Sequence, residues 1–491
     1  MFSNIGEFST LLMLNTLNIY FLVISSVFLL CFMVGYKTNK ISLGSFNTLI
    51  FKNVTLIIFS LSFIIFLFYF YCLFQFKNML LVFNLVHNDY SFNYLTPLIL
   101  DTPSIIIIYL CYLIGFISII TLGDRFWAYN YTLSILFIYF IIIINLLCQS
   151  QSLFELFIYY ELLLLPSVLF VYKTGYTKKS HQANIYFFIW TQLGSLLVLF
   201  GILYISYICG ATSFISLKGF KFTSTELYII YLFFFFGFGV KVPLWPLHFW
   251  LIKVHVEAPS GFSIFLSGFL VKSAVYCFYK IIILLNINFF YVLPVILCLL
   301  GMLDASLKMW TQVDIKKIIA YATVQEMNAI YLLFNVGDSW AVNAGLIFLL
   351  AHGILSALMF YLVECIYKRY DSRSLLKIYG VSQLYPNLSI AIWAMLILFF
   401  GLPGTLKFYV EIQLVLLLAN NDLITTFFIL LIFIFINAIG FGRCWFSVLY
   451  GHPGNDITHS KPKLDLSQEE FSIITFLVIF SITPCFFIFL L

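Results

Sequence analysis

Runs such as Ile135 to Leu147 and Thr225 to Phe238 are apolar almost without interruption. They exclude a transmembrane β-barrel, whose strands alternate lipid-facing apolar with lumen-facing polar residues. With 63% hydrophobic and only 9% charged residues, against roughly 45–50% and 25% in soluble domains, the chain falls outside the soluble globular class as well. A span takes roughly 20 apolar residues and a connection about 4–6, which leaves room for about 14 to 17 helices in this length. The expected fold is an all-α polytopic membrane protein.

Apolar runs read against polar breaks predict fourteen spans, over 10–35, 54–76, 102–122, 130–149, 152–172, 184–209, 226–249, 262–286, 288–308, 315–336, 339–366, 386–419, 423–450 and 469–491. Assigned to the nearest connection, eighteen of the 25 Lys and Arg residues then fall on the side of the odd-numbered connections, and only Lys77, Lys218, Lys221 and Lys280 on the side of the even-numbered ones. This is the asymmetry of the positive-inside rule, and it turns both termini away from the matrix or cytoplasm. The ten Cys are scattered one per hydrophobic segment, without metal-ligand spacing, so iron–sulfur and zinc sites are not expected. Four Arg against 21 Lys, with Phe, Ile and Tyr in excess, fit an AT-biased organelle genome. The N-terminus shows neither a cleavable signal nor an Arg-rich transit peptide, in keeping with a protein made inside the organelle.

The three remaining basic residues belong to the spans themselves: Lys241 in span seven, Lys272 in span eight and Lys407 in span twelve. The acidic side matches, with Glu155 and Glu161 in span five, Asp304 in span nine, Glu326 in span ten, Glu364 in span eleven and Glu411 in span twelve. Intramembrane charges mark ion pathways by default. Two spans are also interrupted by Pro and Gly beside such charges, at Gly237 to His248 and at Gly401 to Glu411. If spans four to eight and nine to thirteen are two five-helix repeats, both interruptions fall in the fourth helix of a repeat, the pattern of ion paths in repeat-built transporters. The competing reading for either break alone is a proline kink kept for packing.

Glu161 needs a basic partner in its apolar setting, because burial without one would neutralise it. Glu155 is about 9 Å away along a helix and on another face, and it can equally be a residue of the span's end. Lys241 and Lys272 are amines able to load and release a proton when a carboxylate partner moves, or else static ion-pair members that fix helix register. His248 and His352 can bridge proton steps, since imidazole titrates near neutrality, although a lone His in a span is often structural. No two of the seven His are spaced as facing axial ligands, which argues against a haem cytochrome. His255 and Glu257 fall in the connection after span seven, where capping is as good a reading as proton handling.

Val240-Lys-Val-Pro-Leu-Trp-Pro-Leu-His-Phe-Trp250 followed by His255-Val-Glu-Ala-Pro259 resembles the signature of subunit 4 of mitochondrial NADH dehydrogenase, an antiporter-like subunit type of respiratory complex I. Leu270-Val-Lys272, Ala351-His-Gly353 and Gly401-Leu-Pro-Gly-Thr405 through Glu411 fall at that family's other landmarks, in order, between about residues 100 and 450. The resemblance implies a fourteen-helix proton-translocating subunit with two inverted repeats and a buried polar axis. It also implies that the chain binds no cofactor, with NADH, FMN, iron–sulfur clusters and ubiquinone held by partner subunits. By position, Glu161 resembles the family's glutamate of helix five, Lys241 the lysine of broken helix seven, Lys272 the lysine of helix eight and Glu411 the glutamate of broken helix twelve. Glu411 separates this type from those resembling subunits 2 and 5, where lysine is expected, and subunit 5 adds a long lateral helix for which no residues are left here.

The sequence departs from the family in three places. Thr323-Val-Gln-Glu326 puts a carboxylate where the family pattern Ser-Val-Ser-His has its histidine. Around Leu100 to Ser104 only Asp101 matches the family's Asp-Gly-Leu-Ser turn. Asp304 and Lys407 are charges that the pattern does not require.

The organisation expected is an N-terminal membrane region over 1–101, span three over 102–129, repeats over 130–286 and 287–450, and a loop with the last span over 451–491. The expected path is Glu161, Lys241, His248, Lys272, His352 and Glu411, with Asp304, Glu326 and Lys407 as additional relay groups. Glu161 and Lys241 would form a switchable ion pair, whose proton passes through His248 and Lys272 toward Glu411. Expected partners are subunits resembling 2 and 5 of the membrane arm, together with membrane lipid, and no nucleic acid. The location implied is the mitochondrial inner membrane. The rival reading is a subunit of the related multi-subunit sodium/proton antiporters, and a third is a scaffold whose charges only hold helices together.

Overall fold

A computed structural model describes residues 55–58, 60–61, 102–122, 131–175, 177–287, 292–336, 339–420, 424–451 and 464–488. Span one, most of span two, Asp101, Arg125 and the loop lysines Lys461 and Lys463 lie outside the described residues. The named helices begin with α1 Thr102–Thr121, α2 Tyr131–Cys148, α3 Leu153–Leu162, α4 Leu164–Thr174, α5 Lys178–Cys209 and α6 Phe214–Lys218. They continue with α7 Ser224–Lys241, α8 Phe249–Glu257, α9 Ser260–Phe265, a π-turn Leu266–Leu270 and α10 Val271–Leu284. Beyond these come α11 Val292–Thr311, α12 Ile315–Val336, α13 Ser339–Tyr370, α14 Val381–Leu384, α15 Pro386–Phe399, α16 Leu406–Asn420, α17 Ile424–Tyr450 and α18 Gln468–Ile488.

Seven helical stretches among the described residues are long and apolar enough to cross a membrane, and shorter apolar helices cover 132–148, 386–399 and 434–450. Their ends follow local chemistry. Thr177 and Ser180 form a capping box at the start of α5, and Thr223 with Glu226 another at the start of α7, satisfying amides that a helix N-terminus leaves open. Gly210 closes α5 at φ 66°, a left-handed conformation that a residue with a Cβ adopts at a cost.

Burial is uneven in a way that positions the site. The stretch Ser260–Leu284 is almost wholly buried, whereas most of α5 is not. The helix carrying Lys272 is therefore wrapped by protein, and α5 turns much of its apolar surface outward. Helix α13 packs against α1, α9, α12, α16 and α18, so the lower-numbered and higher-numbered helices share one interior.

Two isolated β-bridges have matching surroundings. Ser152 pairs with Ser213, closed by Leu153 N to Thr212 O and Phe214 N to Gln151 O, both 3.0 Å. Asp314 pairs with Ser374, closed by Ile315 N to Arg373 O at 3.0 Å and Leu375 N to Val313 O at 2.8 Å. In each case a residue at the start of the predicted span five or ten is tied to the chain after the predicted span six or eleven.

Both predicted interruptions are breaks between helices, and one corrects a boundary. The run predicted as span seven stops being helical at Lys241 and resumes over Phe249–Glu257. His255 and Glu257, expected in a connection, thus lie on the second half of that broken helix. Pro243 and Pro246 lack the amides that helix continuation needs, but the apolar residues from Phe249 onward restart it. In the second break the chain leaves α15 at Phe399 and re-enters helix at Leu406, through Gly401 at φ 61° and Gly404 at φ 96°.

Candidate functional site

Each break leaves carbonyl groups at the end of a half-helix without an intrahelical amide, and both are answered by the second residue of the helix that follows. Trp250 donates its Nε1 hydrogen to Val240 O at 2.8 Å. Lys407 donates to Phe399 O at 2.6 Å, its Nζ also lying 4.0 Å from the centre of the Phe399 ring. A cation at a half-helix C-terminus is favoured by the aligned peptide dipoles. Asn328 secures the first break from a neighbouring helix, donating from Nδ2 to Pro243 O at 3.2 Å.

Lys407 is at the centre of the densest charge cluster. Its Nζ lies 2.5 Å from Glu326 Oε1 and 3.7 Å from Glu411 Oε1. The other oxygen of Glu326, Oε2, meets His352 Nδ1 at 2.5 Å. Glu326, His352 and Lys407 are buried, at 1%, 1% and 5% exposure, and the Glu411 side chain retains 23%. His352, Glu326, Lys407 and Glu411 thus form an unbroken line across α13, α12 and α16. His352 Nε2 is buried without a protein partner, leaving one ring nitrogen open to a further hydrogen bond. Two of the departures from the family pattern, Glu326 and Lys407, stand in contact with each other.

Lys272 follows the π-turn and is wholly buried, its Nζ donating to Ser267 O at 2.5 Å. Single π-turns inside helices often sit at functional sites. Lys272 is in electrostatic reach of Glu326 and His352, which brings it to the near end of the line.

Glu161 and Lys241 differ from expectation. Among the described residues they make no ion pair within 4.0 Å. Lys241 Nζ stands instead 4.1 Å from the centre of the Tyr160 ring, buried, with the Glu161 charge in electrostatic reach. An aromatic face attracts an ammonium, and in sequence Tyr160 reads as one apolar residue among many.

His248 is likewise placed differently from the predicted step to Lys272. Its Nε2 lies 3.3 Å from Asp304 Oδ2, its ring stacks on Phe249, and Asp304 also holds Lys308 at 2.6 Å. His248 is buried, and Asp304 retains 25% exposure. Glu155 is exposed, and its Oε2 accepts a hydrogen bond from Gln151 N at 2.8 Å, a helix-start role. Glu364 accepts from Ser260 Oγ at 2.5 Å.

Sequence reasoning missed Lys316. Counted among the connection lysines, it is 3% exposed, and its ammonium donates to Ala258 O. Its position at the first turn of a helix, next to Lys317, gave the appearance of a solvated pair. Among the described residues no group of three or more His, Cys, Asp or Glu side chains is arranged to hold a metal ion.

Comparison with known proteins gives a family and a fold. Residues 150–437 match the family described as NADH:quinone oxidoreductase/Mrp antiporter, transmembrane. NADH-ubiquinone oxidoreductase chain 4 of Paramecium tetraurelia is 41% identical over 379 residues, covering 76% of this chain and 79% of that one. The chain 4 of Acanthamoeba castellanii is 32% identical over 351 residues, 70% of each. Among solved structures, a chain of the Mrp complex from Dietzia sp. DQ12-45-1b superposes with a TM-score of 0.73 at 18% identity, covering 91% of this chain and 95% of that one. A chain of respiratory complex I from Thermus thermophilus with bound aureothin gives 0.72 at 17% identity, covering 95% and 96%. At those identities the structures speak to the fold, and the sequence relatives to the family. The chain belongs to the NADH:quinone oxidoreductase/Mrp antiporter transmembrane family.

Proposed function

We propose that this chain is the chain-4-type proton-translocating subunit of a mitochondrial NADH:ubiquinone oxidoreductase, moving protons while redox chemistry takes place in other subunits. The observation that carries the reading is the buried line His352, Glu326, Lys407 and Glu411, with Lys272 at its near end and a broken helix at its far end. Buried charges so placed cost stability unless they are paired and used. The named relatives support the complex to which it belongs.

In this reading Glu161 and Lys241 act across Tyr160. Movement of Glu161 relative to Lys241 changes how firmly the amine holds its proton, and internal water carries that proton toward Lys272. His248 with Asp304 flanks the first break, and the group of His352, Glu326 and Lys407 governs passage of the proton on to Glu411. The matching β-bridges support two five-helix repeats over 130–286 and 287–450, with 1–101, 102–129 and 451–491 as flanking membrane segments. Subunits resembling 2 and 5 would be its neighbours in the inner membrane. NADH, FMN, iron–sulfur clusters and ubiquinone would be held elsewhere in the complex, and the gene would be an organelle gene.

The Mrp-like fold keeps a second reading open, a subunit of a sodium/proton antiporter without redox partners. Affinity purification of the tagged chain from gently solubilised membranes separates the two. Flavin and iron–sulfur absorbance co-purifying with NADH oxidation is the expected result. An assembly devoid of both, exchanging sodium for protons, would overturn it.

A further inference from the structure

Lys407 has two carboxylates within reach at unequal distances, Glu326 at 2.5 Å and Glu411 at 3.7 Å. It occupies the second position of a resumed helix, where the corresponding residue of the other broken helix is Trp250, a donor without charge. Closing a break does not by itself require a cation there. The charge must be explained by what surrounds it. Glu326 is contacted by Lys407 from α16 and His352 from α13, and it feels Lys272 from α10, while Glu411 faces Lys407 on its own helix.

We propose that Lys407 is a two-position cation that links the charge on His352 to the proton on Glu411. The inference rests on the proton-translocation reading and deepens it. With His352 neutral, Glu326 carries the only negative charge in direct contact with Lys407, and the ammonium rests on it while Glu411 keeps its proton. A proton taken up by His352 makes an imidazolium 2.5 Å from Glu326, which repels Lys407 and satisfies Glu326 in its place. Lys407 then shifts the short distance to Glu411, and its charge there releases the carboxyl proton outward. Transfer of the His352 proton to Glu411 through water returns Lys407 to Glu326. One proton enters at His352 and one leaves at Glu411, and Lys407 keeps its own throughout.

A static pair makes a different prediction, because it needs only that the two charges cancel. In the assembled complex, Lys407→Met with Glu326→Gln removes both charges at nearly constant volume. Under the proposal this double variant assembles and oxidises NADH but loses the pumping carried by this subunit. Lys407→Arg keeps a cation that never gives up its proton, and it retains pumping. A double variant that pumps with wild-type protons per NADH overturns the proposal, as does a fully assembled Lys407→Arg complex that does not pump. Glu411→Gln keeps the two levels apart. If it pumps normally the translocation reading itself has failed, whereas a dead Glu411→Gln beside a pumping double variant refutes only the moving lysine.

Discussion

Lys241 Nζ stands 4.1 Å from the centre of the Tyr160 ring, next in sequence to the Glu161 carboxylate that acts on it only through space. The ring holds the ammonium without neutralising it, as a direct carboxylate contact would. Tyr160→Phe keeps the aromatic face and should leave proton pumping near normal, whereas Tyr160→Leu removes it and should lower pumping. Lys241→Ala should uncouple NADH oxidation from proton movement. The substitution also removes packing around Tyr160, so both rates are measured per assembled complex. Wild-type protons per NADH in Lys241→Ala would reduce the lysine to a structural role.

Trp250 and Val240 test the first break. Trp250→Phe fills nearly the same space but leaves Val240 O without its donor, at a cost of about 1–3 kcal/mol for a buried unpaired group. Thermal inactivation of the assembled complex should occur at lower temperature. Stability equal to wild type would mean that water or another donor takes over.

Gly401 tests the second. Its φ is 61°, and a Cβ placed there would come within 2.8 Å of Glu411 Oε2. Gly401→Ala therefore combines backbone strain of about 1–2 kcal/mol with displacement of the carboxylate. Pumping should fall more than assembly, as judged by native gel and by proton uptake in sealed vesicles. An unaffected proton ratio would free Glu411 from any need of fixed placement.

Topology is checked from outside. The segments Lys173 to Lys179 and Lys368 to Lys377 should face the same side, opposite both termini. Single cysteines placed in each should label from one face only. Opposite labelling would break the fourteen-span count and the repeat alignment with it.

Helix type and most span limits were legible because uninterrupted apolar runs and Pro–Gly breaks are local signals. Glu326 and Lys407 were legible as departures, each a charge without a family role. Their mutual contact was not, since 81 positions separate them and only the packing of both α12 and α16 on α13 brings them together. Tyr160 carried no signal of its own, because an aromatic that holds an ammonium looks like any other apolar residue. Lys316 misled for the opposite reason, its place beside Lys317 at a helix start imitating a solvated loop while the fold buries it. His255 and Glu257 were assigned to a connection because span seven was ended at 249, and the helix running on to Glu257 is a tertiary outcome.

The central claim is that Glu411 holds and releases a proton at the end of the buried line. Gln keeps the volume and hydrogen-bonding reach of that side chain but does not carry the proton. The most direct measurement is the number of protons translocated per NADH oxidised by assembled Glu411→Gln complex in sealed vesicles, across a range of pH. Assembly and NADH oxidation with loss of this subunit's pumping at every pH is the expected result. Wild-type translocation by an assembled Glu411→Gln complex across that range would contradict it.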